Sequence, residues 1–375
     1  MANPGGGSVP IRVHYGKTSA ATPAEAVADL ARQLDAAALE AAIIFCASQY
    51  DLAALGQALK QCFPCPVIAC TSSGQIGPDG FERAGLVGIG LGGGFRVQLF
   101  PISPLADHAA QAVAIARRAK ASVAGRSRFG LLLIDGLSML EERVTASLYQ
   151  ALDNVPIIGG SAGDDLKFER TAVYDGDGCF LSGAAVFALI DTDAAILPFK
   201  VQHFRPSDTE FVITAADPEQ RIIHEMNGEP AALAYAQALG QPVAALGPEL
   251  FSKHPLVLTY GAETYVRSIL RSNPDQSLTC YCAIEEGLIV TLGVADSPLE
   301  TLQLALGKVH QALGGRTLIL ACDCILRRLE FEHTGDFRAI GRLMAENRVF
   351  GFSTYGEQFN GIHVNQTFTG IALGA

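Results

Sequence analysis

Basic residues never gather in this chain. Its 27 lysines and arginines face 38 aspartates and glutamates, and the longest basic runs are pairs such as Arg117-Arg118 and Arg327-Arg328. Binding to nucleic acid needs grouped cations that displace counterions from phosphate, so a net charge of -11 without clusters excludes that class of partner. Long apolar runs are also missing: none approaches the roughly 20 residues that span a bilayer, and no basic amphipathic stretch points to a membrane surface. The opening Met-Ala-Asn-Pro-Gly-Gly-Gly-Ser-Val-Pro has neither a charged n-region nor an apolar h-region. A cytoplasmic location is expected.

Signatures of common chemistry are absent as well. There is no P-loop Gly-Lys-Ser, no His-Glu-x-x-His, no kinase signature and no nucleophile elbow, so an enzyme is not expected. Gly88 to Gly94 is glycine-rich but opens no helix, which weakens a dinucleotide reading. Cys62-Phe-Pro-Cys65 has thioredoxin-like spacing, yet Pro64 and Pro66 disrupt the helix start that would lower a thiol pKa. The nine cysteines, most of them in apolar strand-like runs (Cys46, Cys70, Cys280, Cys282, Cys322), read as reduced core thiols. No Cys-x-x-Cys-His occurs, so covalent c-type haem is excluded.

What is present is apolar: 49% hydrophobic against 17% charged residues over 375 positions, enough for two domains with cores. The central stretch is Val155-Pro-Ile-Ile-Gly-Gly-Ser-Ala-Gly-Asp-Asp-Leu-Lys-Phe168. It reads as a buried strand breaking into a small-residue loop, with Gly159, Gly160 and Gly163 expected to take φ > 0 and leave N–H groups uncovered. Asp164-Asp165 read as an acidic helix start. Pro66-Val-Ile-Ala-Cys-Thr-Ser-Ser-Gly74 and Val349-Phe-Gly-Phe-Ser-Thr-Tyr-Gly-Glu357 repeat the same grammar, which predicts duplicated β-loop units with loops gathered on one sheet edge.

Capping signals at Thr22-Pro-Ala-Glu25 and Asp51 start two helices, and the strands Ala42 to Ala47 and Val67 to Cys70 alternate with them. Leu86 to Leu91 and Phe95 to Phe100 around Gly92-Gly-Gly94 read as a hairpin, as do the flanks of Asp175-Gly-Asp-Gly178. Helices follow at 107–122, 140–153, 299–313 and 335–346. The fold class expected is α/β and α+β, two packed domains of mixed sheets with covering helices, the N-terminal half suggesting repeated β-loop-α units. A flexible segment 1–20 would precede domains 21–228 and 229–375, the boundary marked by Asn227-Gly228 and Pro230.

The Val155 stretch, Met226-Asn-Gly-Glu-Pro-Ala231, and Phe352-Ser-Thr-Tyr-Gly-Glu357 with Asn365-Gln-Thr367 together resemble the FIST sensory domain in its N- and C-terminal halves, from about Ala41 onward. That resemblance implies a ligand sensor feeding a separate histidine kinase or cyclic-di-GMP enzyme, with room for a homodimer. The layout, including Val201-Gln-His-Phe-Arg-Pro206, is similar to the haem-binding nitric-oxide sensors of the NosP type. It implies haem b, with His203 as axial ligand, Phe204 packing on the macrocycle and Arg205 on a propionate. Next in line as ligands are His363 and His224, then His310 and His333. The alternative is a FIST sensor of a small polar metabolite such as an amino acid, its carboxylate on the loops Gly159, Gly160, Ser161 and Gly163 or Ser72 and Ser73.

Overall fold

The computed structural model describes residues 11–122, 125–153, 155–261, 263–314 and 317–374. The chain repeats one order of elements three times. The first unit is β1 (Arg12–Thr18), α1 (Pro23–Leu34), β2 (Ala41–Ala47), α2 (Leu52–Cys62), β3 (Val67–Ser72), β4 (Gln75–Gly77), β5 (Gly80–Glu82) and β6 (Leu86–Gly92). The second is β7 (Phe95–Ile102), α3 (His108–Ala121), β8 (Ser127–Asp135), α4 (Glu141–Ala151), β9 (Ile157–Ala162), β10 (Val173–Tyr174), β11 (Phe180–Leu181) and β12 (Ala185–Thr192). The third opens with β13 (Ala195–Val201) and is then interrupted.

An inserted domain occupies the interruption: β14 (Phe204–Asp217), β15 (Ile222–Met226), β16 (Glu229–Pro230), α5 (Ala231–Ala238), α6 (Pro248–Lys253), β17 (Leu256–Tyr260), β18 (Glu263–Arg267), β19 (Ile269–Ser272), β20 (Leu278–Cys280) and β21 (Ile289–Ala295). The third unit resumes with α7 (Pro298–Leu313), β22 (Thr317–Cys324), α8 (Ile325–Thr334), α9 (Phe337–Glu346), β23 (Val349–Thr354), β24 (Glu357–Phe359), β25 (Ile362–Val364) and β26 (Phe368–Gly374).

The sheets carry the repeat. Their strand orders are β1-β6-β2-β3-β10-β11, β7-β12-β8-β9-β24-β25 and β13-β26-β22-β23-β4-β5. Each centres on a parallel pair joined through helix, β2/β3, β8/β9 or β22/β23, with the unit's last strand antiparallel beside it. Each then ends in a hairpin borrowed from another unit. Hairpin β4–β5 joins the third sheet, β10–β11 the first and β24–β25 the second, so no sheet is complete within its own unit.

Strands buried on both faces explain the near-continuous apolar runs. Inner faces of the three sheets meet on one core, where Phe45 stacks on Phe352 with ring centroids 4.3 Å apart. The outer faces pack on helices; α1 starts at Thr22, whose hydroxyl accepts from the Glu25 N–H, and Asp51 caps α2 by accepting from Ala53 and Ala54. The inserted domain has a core of its own, drawn from residues between Phe211 and Leu292.

This mixed α+β architecture agrees with the expected fold class, and the repeated unit extends to the C-terminal part. Some local expectations change. Leu86 to Leu91 and Phe95 to Phe100 form strands but not a hairpin: β6 pairs with β1 and β2 while β7 pairs with β12, so Gly93 and Gly94, both at positive φ, carry the chain between sheets. Arg12–Thr18, expected in a flexible segment, is an edge strand on β6; residues 1–10 of that segment lie outside the described residues. Helix α8 was not anticipated. Among the described residues, no helix is long and apolar enough to cross a membrane.

Candidate functional site

The ends of β3, β9 and β23 meet, as the recurrent Ser-Gly grammar predicts. Ser73 N–H donates to Ser353 O (3.0 Å), and Ser353 N–H to Gly74 O (2.8 Å). Ser161 N–H donates to Gly356 O (2.8 Å), Tyr355 N–H to Ser161 O (3.1 Å) and Gly163 N–H to Thr71 O (3.2 Å). These bonds overturn the idea of an open nest. Gly159 and Gly160 lie within β9, and with Gly163 are absent from the positive-φ positions. Their smallness serves contact instead: a Cβ at Gly159 would run into Leu132 O, one at Gly160 into Phe352, and one at Gly163 into the Ser73 hydroxyl. Ser72 is committed too, its hydroxyl donating to Cys46 O (3.0 Å) and accepting from Gln75 Nε2 (2.8 Å).

Asp164 starts no helix. Its carboxylate accepts from the backbone N–H groups of Phe168 (3.0 Å), Glu169 (2.8 Å) and Arg170 (2.9 Å), and from the Tyr355 hydroxyl. Burial alone would raise its pKa; the Tyr355 hydroxyl and these N–H groups hold it below the ordinary value. Tyr355 stacks on Phe168 with centroids 5.0 Å apart, closing the loop over the junction.

Beneath the loops lies a buried polar layer. Ser72 with Gln75 in the first unit is matched in the third by Thr354 with Glu357, where the Thr354 hydroxyl bonds one carboxyl oxygen and Thr367 supplies its hydroxyl (2.7 Å) and N–H (3.2 Å) to the other. Burial pushes the Glu357 carboxyl up to about 8. Beside it, Gln358 Nε2 donates to Ser161 Oγ (3.0 Å) and to His363 Nδ1 (3.2 Å), and burial pulls His363 down to about 4. The ring is therefore neutral, with its proton on Nε2.

Among the described residues, that Nε2 has no hydrogen-bond partner. Neither do the two amide atoms of Asn365 nor Nε of Arg267 on β18 of the inserted domain. Gly356, at φ 144°, has no room for a Cβ, which would lie 2.3 Å from His363 Cε1, 2.7 Å from His363 Nε2 and 2.8 Å from Asn365 Nδ2, so ring and amide pack directly on its backbone. The inserted domain roofs this point: Gln366 accepts from Ser268 Oγ (2.9 Å) and donates to Ser252 O (2.7 Å). Unsatisfied buried polar atoms are costly, and these lie where the 363–366 loop meets the inserted domain. Two surface clefts, about 450 Å³ beside Phe81 and Phe337 and about 350 Å³ beside Lys17 and Glu82, share no residue with it.

His203 sits elsewhere, where the chain leaves the third sheet for the inserted domain. Its Nδ1 accepts from Arg327 Nη1 (2.9 Å) and its Nε2 donates to Glu330 (2.9 Å), while Arg327 Nε reaches Asp323 (2.8 Å). Burial, helped by Arg327, holds its pKa below 6.5 against the pull of Glu330. Phe204 packs on the imidazole, centroids 4.3 Å apart, and Arg205 is an exposed side chain paired with Asp296 (3.1 Å). These residues do not fit a haem. Both ring nitrogens are taken, and the expected propionate partner lies in solvent. His224 is exposed on β15, His310 bonds Asn347 (2.7 Å) and Thr317 (2.9 Å), His333 is exposed, and His363 faces Gly356. The apolar gap in the shared core, beside Phe45 and Cys322, is about 10 Å³, far below the size of a macrocycle.

Sequence reasoning missed Asp323, Arg327 and Glu330. The readable signal was Asp and Arg four residues apart across the end of a strand, i,i+4 partners once α8 is recognised. Arg267 and Asn365 come together only through the tertiary fold.

The class of protein is set by a threefold sheet assembly with an inserted domain and a buried polar junction between them. Comparison with family models agrees. The FIST N domain model matches residues 40–229 and the FIST C domain model residues 231–360; the chain belongs to the FIST family, whose domains are sensory modules of signalling proteins. No significant match to a curated protein accompanies these.

Proposed function

We propose that this protein senses a small polar metabolite of the amino-acid class, bound where the 363–366 loop meets the inserted domain. The observation that carries this reading is the group of buried, unpartnered atoms of His363, Asn365 and Arg267. Their chemistry is two-sided. Arg267 Nε, His363 Nε2–H and Asn365 Nδ2 are donors suited to a carboxylate, and Asn365 Oδ1 is an acceptor suited to an ammonium group. One zwitterion would satisfy both sets, which water or a simple anion would not do as completely. In the cytoplasm, the occupied protein would then contact a separate histidine kinase or cyclic-di-GMP enzyme, with the protein either alone or as a homodimer. Haem and nitric oxide are not part of this reading, because both nitrogens of His203 are taken and the buried ring of His363, the next candidate, is bonded to Gln358 and packed against Gly356.

Thermal-shift screening of the amino acids, followed by calorimetry, tests it. A true ligand at 100 times its dissociation constant adds about 2.7 kcal/mol of stability. Asn365→Ala should abolish that gain while leaving the fold intact. The reading falls if no amino acid shifts the wild-type transition, or if haem addition gives a Soret band that His203→Ala removes.

A further inference from the structure

The unpartnered atoms at His363 and Asn365 are buried, 2% and 0% exposed, so no molecule reaches them in this arrangement. What covers them is a domain with its own apolar core. It packs Tyr281 against Cys324, Ile325, Leu326 and Tyr355, pairs Glu263 with Lys200 and Thr264 with Gln202, and is held further by polar contacts at three places. The first is the neck: the chain leaves at His203 and returns at Asp296, and Asp296 N–H donates to His203 O (2.8 Å). The second is Gln366, bonded to Ser268 and Ser252. The third is Arg221, at the tip between β14 and β15. Its Nη2 lies 2.6 Å from both Glu141 and Glu142 of α4, and its Nη1 donates to Tyr281 O (2.7 Å). Glu142 also accepts from Ala283 N–H (2.7 Å). Arg221 adopts φ 57°, a left-handed conformation that a non-glycine residue holds only when its surroundings fix it. Domains of one chain joined by polar contacts of this kind, with Tyr281 as an apolar point between them, and by a two-strand neck move relative to one another by default.

We propose that the inserted domain is a hinged cover over the His363–Asn365 junction, turning at the His203–Asp296 neck and held shut by Arg221 on the Glu141–Glu142 carboxylates. Closing buries the junction and completes it with Arg267; opening exposes it to solvent. Arg221 is a positioning residue here, acting through the seating of the domain. The motion stands on the geometry of latch and neck alone, whereas the identity of what enters rests on the reading above.

The cysteines supply a test needing no ligand. Cys282 lies on the latch side of the cover, near Arg221, Glu142 and Arg267; Cys280 is inside the cover's own core, and Cys70 and Cys322 are in the core of the three sheets. The full chain is treated with N-ethylmaleimide under native conditions, and modification of each cysteine is followed by peptide mass spectrometry. Arg221→Gln should speed labelling of Cys282 at least tenfold while Cys280, Cys70 and Cys322 keep their wild-type rates. Glu142→Gln, a milder change, should act in the same direction if Arg221→Gln fails to fold. Unchanged Cys282, or equal acceleration of Cys282 and Cys280, overturns the hinged cover, the second because it means the domain melts rather than lifts. If Cys282 responds as expected and no amino acid binds in calorimetry, the cover stands and only the ligand reading falls.

Discussion

Glu357→Gln should make this protein more stable at alkaline pH and leave it unchanged in acid. The Glu357 carboxyl is fully buried, and burial raises its pKa from 4.5 to about 8. Between those values the folded chain keeps a proton that the unfolded chain has released. Stability therefore falls as pH rises through this window, by 1.36 kcal/mol per pH unit, and the loss is complete above about pH 8. Over the whole interval this amounts to about 5 kcal/mol. Glutamine can serve Thr354 and Thr367 as the protonated acid does, but does not titrate. Other groups confuse a single profile: His363, pulled from 6.5 to about 4, adds stability as pH rises between those values and so opposes Glu357 below pH 6.5. Subtracting wild type from variant at each pH cancels such shared contributions. The chain has no tryptophan, so urea unfolding followed by far-UV circular dichroism is the suitable assay. The difference should be near zero at pH 4.5 and grow in favour of the variant up to pH 8. A difference that stays flat from pH 5 to 8 refutes the reasoning, since Glu357 would then be ionised in the fold.

Three further outcomes follow from the contacts. Arg327→Leu leaves Asp323 buried without its cation and His203 Nδ1 without its donor, and should cost about 3–5 kcal/mol by urea unfolding. Gly159→Ala, whose Cβ would strike Leu132 O, should cost more than Gly183→Ala, where φ is 63° but nothing lies within 4 Å and about 1 kcal/mol is expected; comparison of unfolding midpoints decides. Tyr355→Phe removes the hydroxyl that bonds the Asp164 carboxylate and accepts from Leu166 N–H (2.7 Å), so it should cost about 1–3 kcal/mol and raise hydrogen exchange across residues 164–170.

Much of this fold was legible because local signals agreed with the final structure. Thr22 and Asp51 cap the helices they announce, and the runs Ala42 to Ala47 and Leu318 to Cys322 are strands in the middle of sheets. The three Ser-Gly stretches also converge as their likeness suggests. What failed was anything requiring knowledge of which strand pairs with which. A glycine-rich turn between two strands looks the same whether they pair or part, so Gly92 to Gly94 gave a false hairpin. Glycines 159 and 160 carried the same ambiguity, since a close approach and a positive φ select the same residue. His203 misled for a related reason: a histidine followed in sequence by an aromatic and a basic residue was in fact satisfied by Arg327 and Glu330, more than 120 residues away.

The exchange of hairpins gives a physical reason for placing a sensing junction where the three strand ends meet. Each sheet is finished by strands from another unit, so displacing β24 and β25, which carry Glu357, Gln358 and His363, disturbs the second sheet while pulling on the third. A ligand can shift an equilibrium only by its differential affinity for two arrangements, and a junction shared by all three units offers the steepest such difference. The inserted domain interrupts the third unit, the one that supplies His363 and Asn365, between β13 and α7. In the proposed reading, occupancy would be felt at both ends of one unit: at its exchanged hairpin and at the neck of the inserted domain. A sensor whose ligand loop lay on a self-contained sheet would lack that connection, and its output would need a second conformational element to carry the signal.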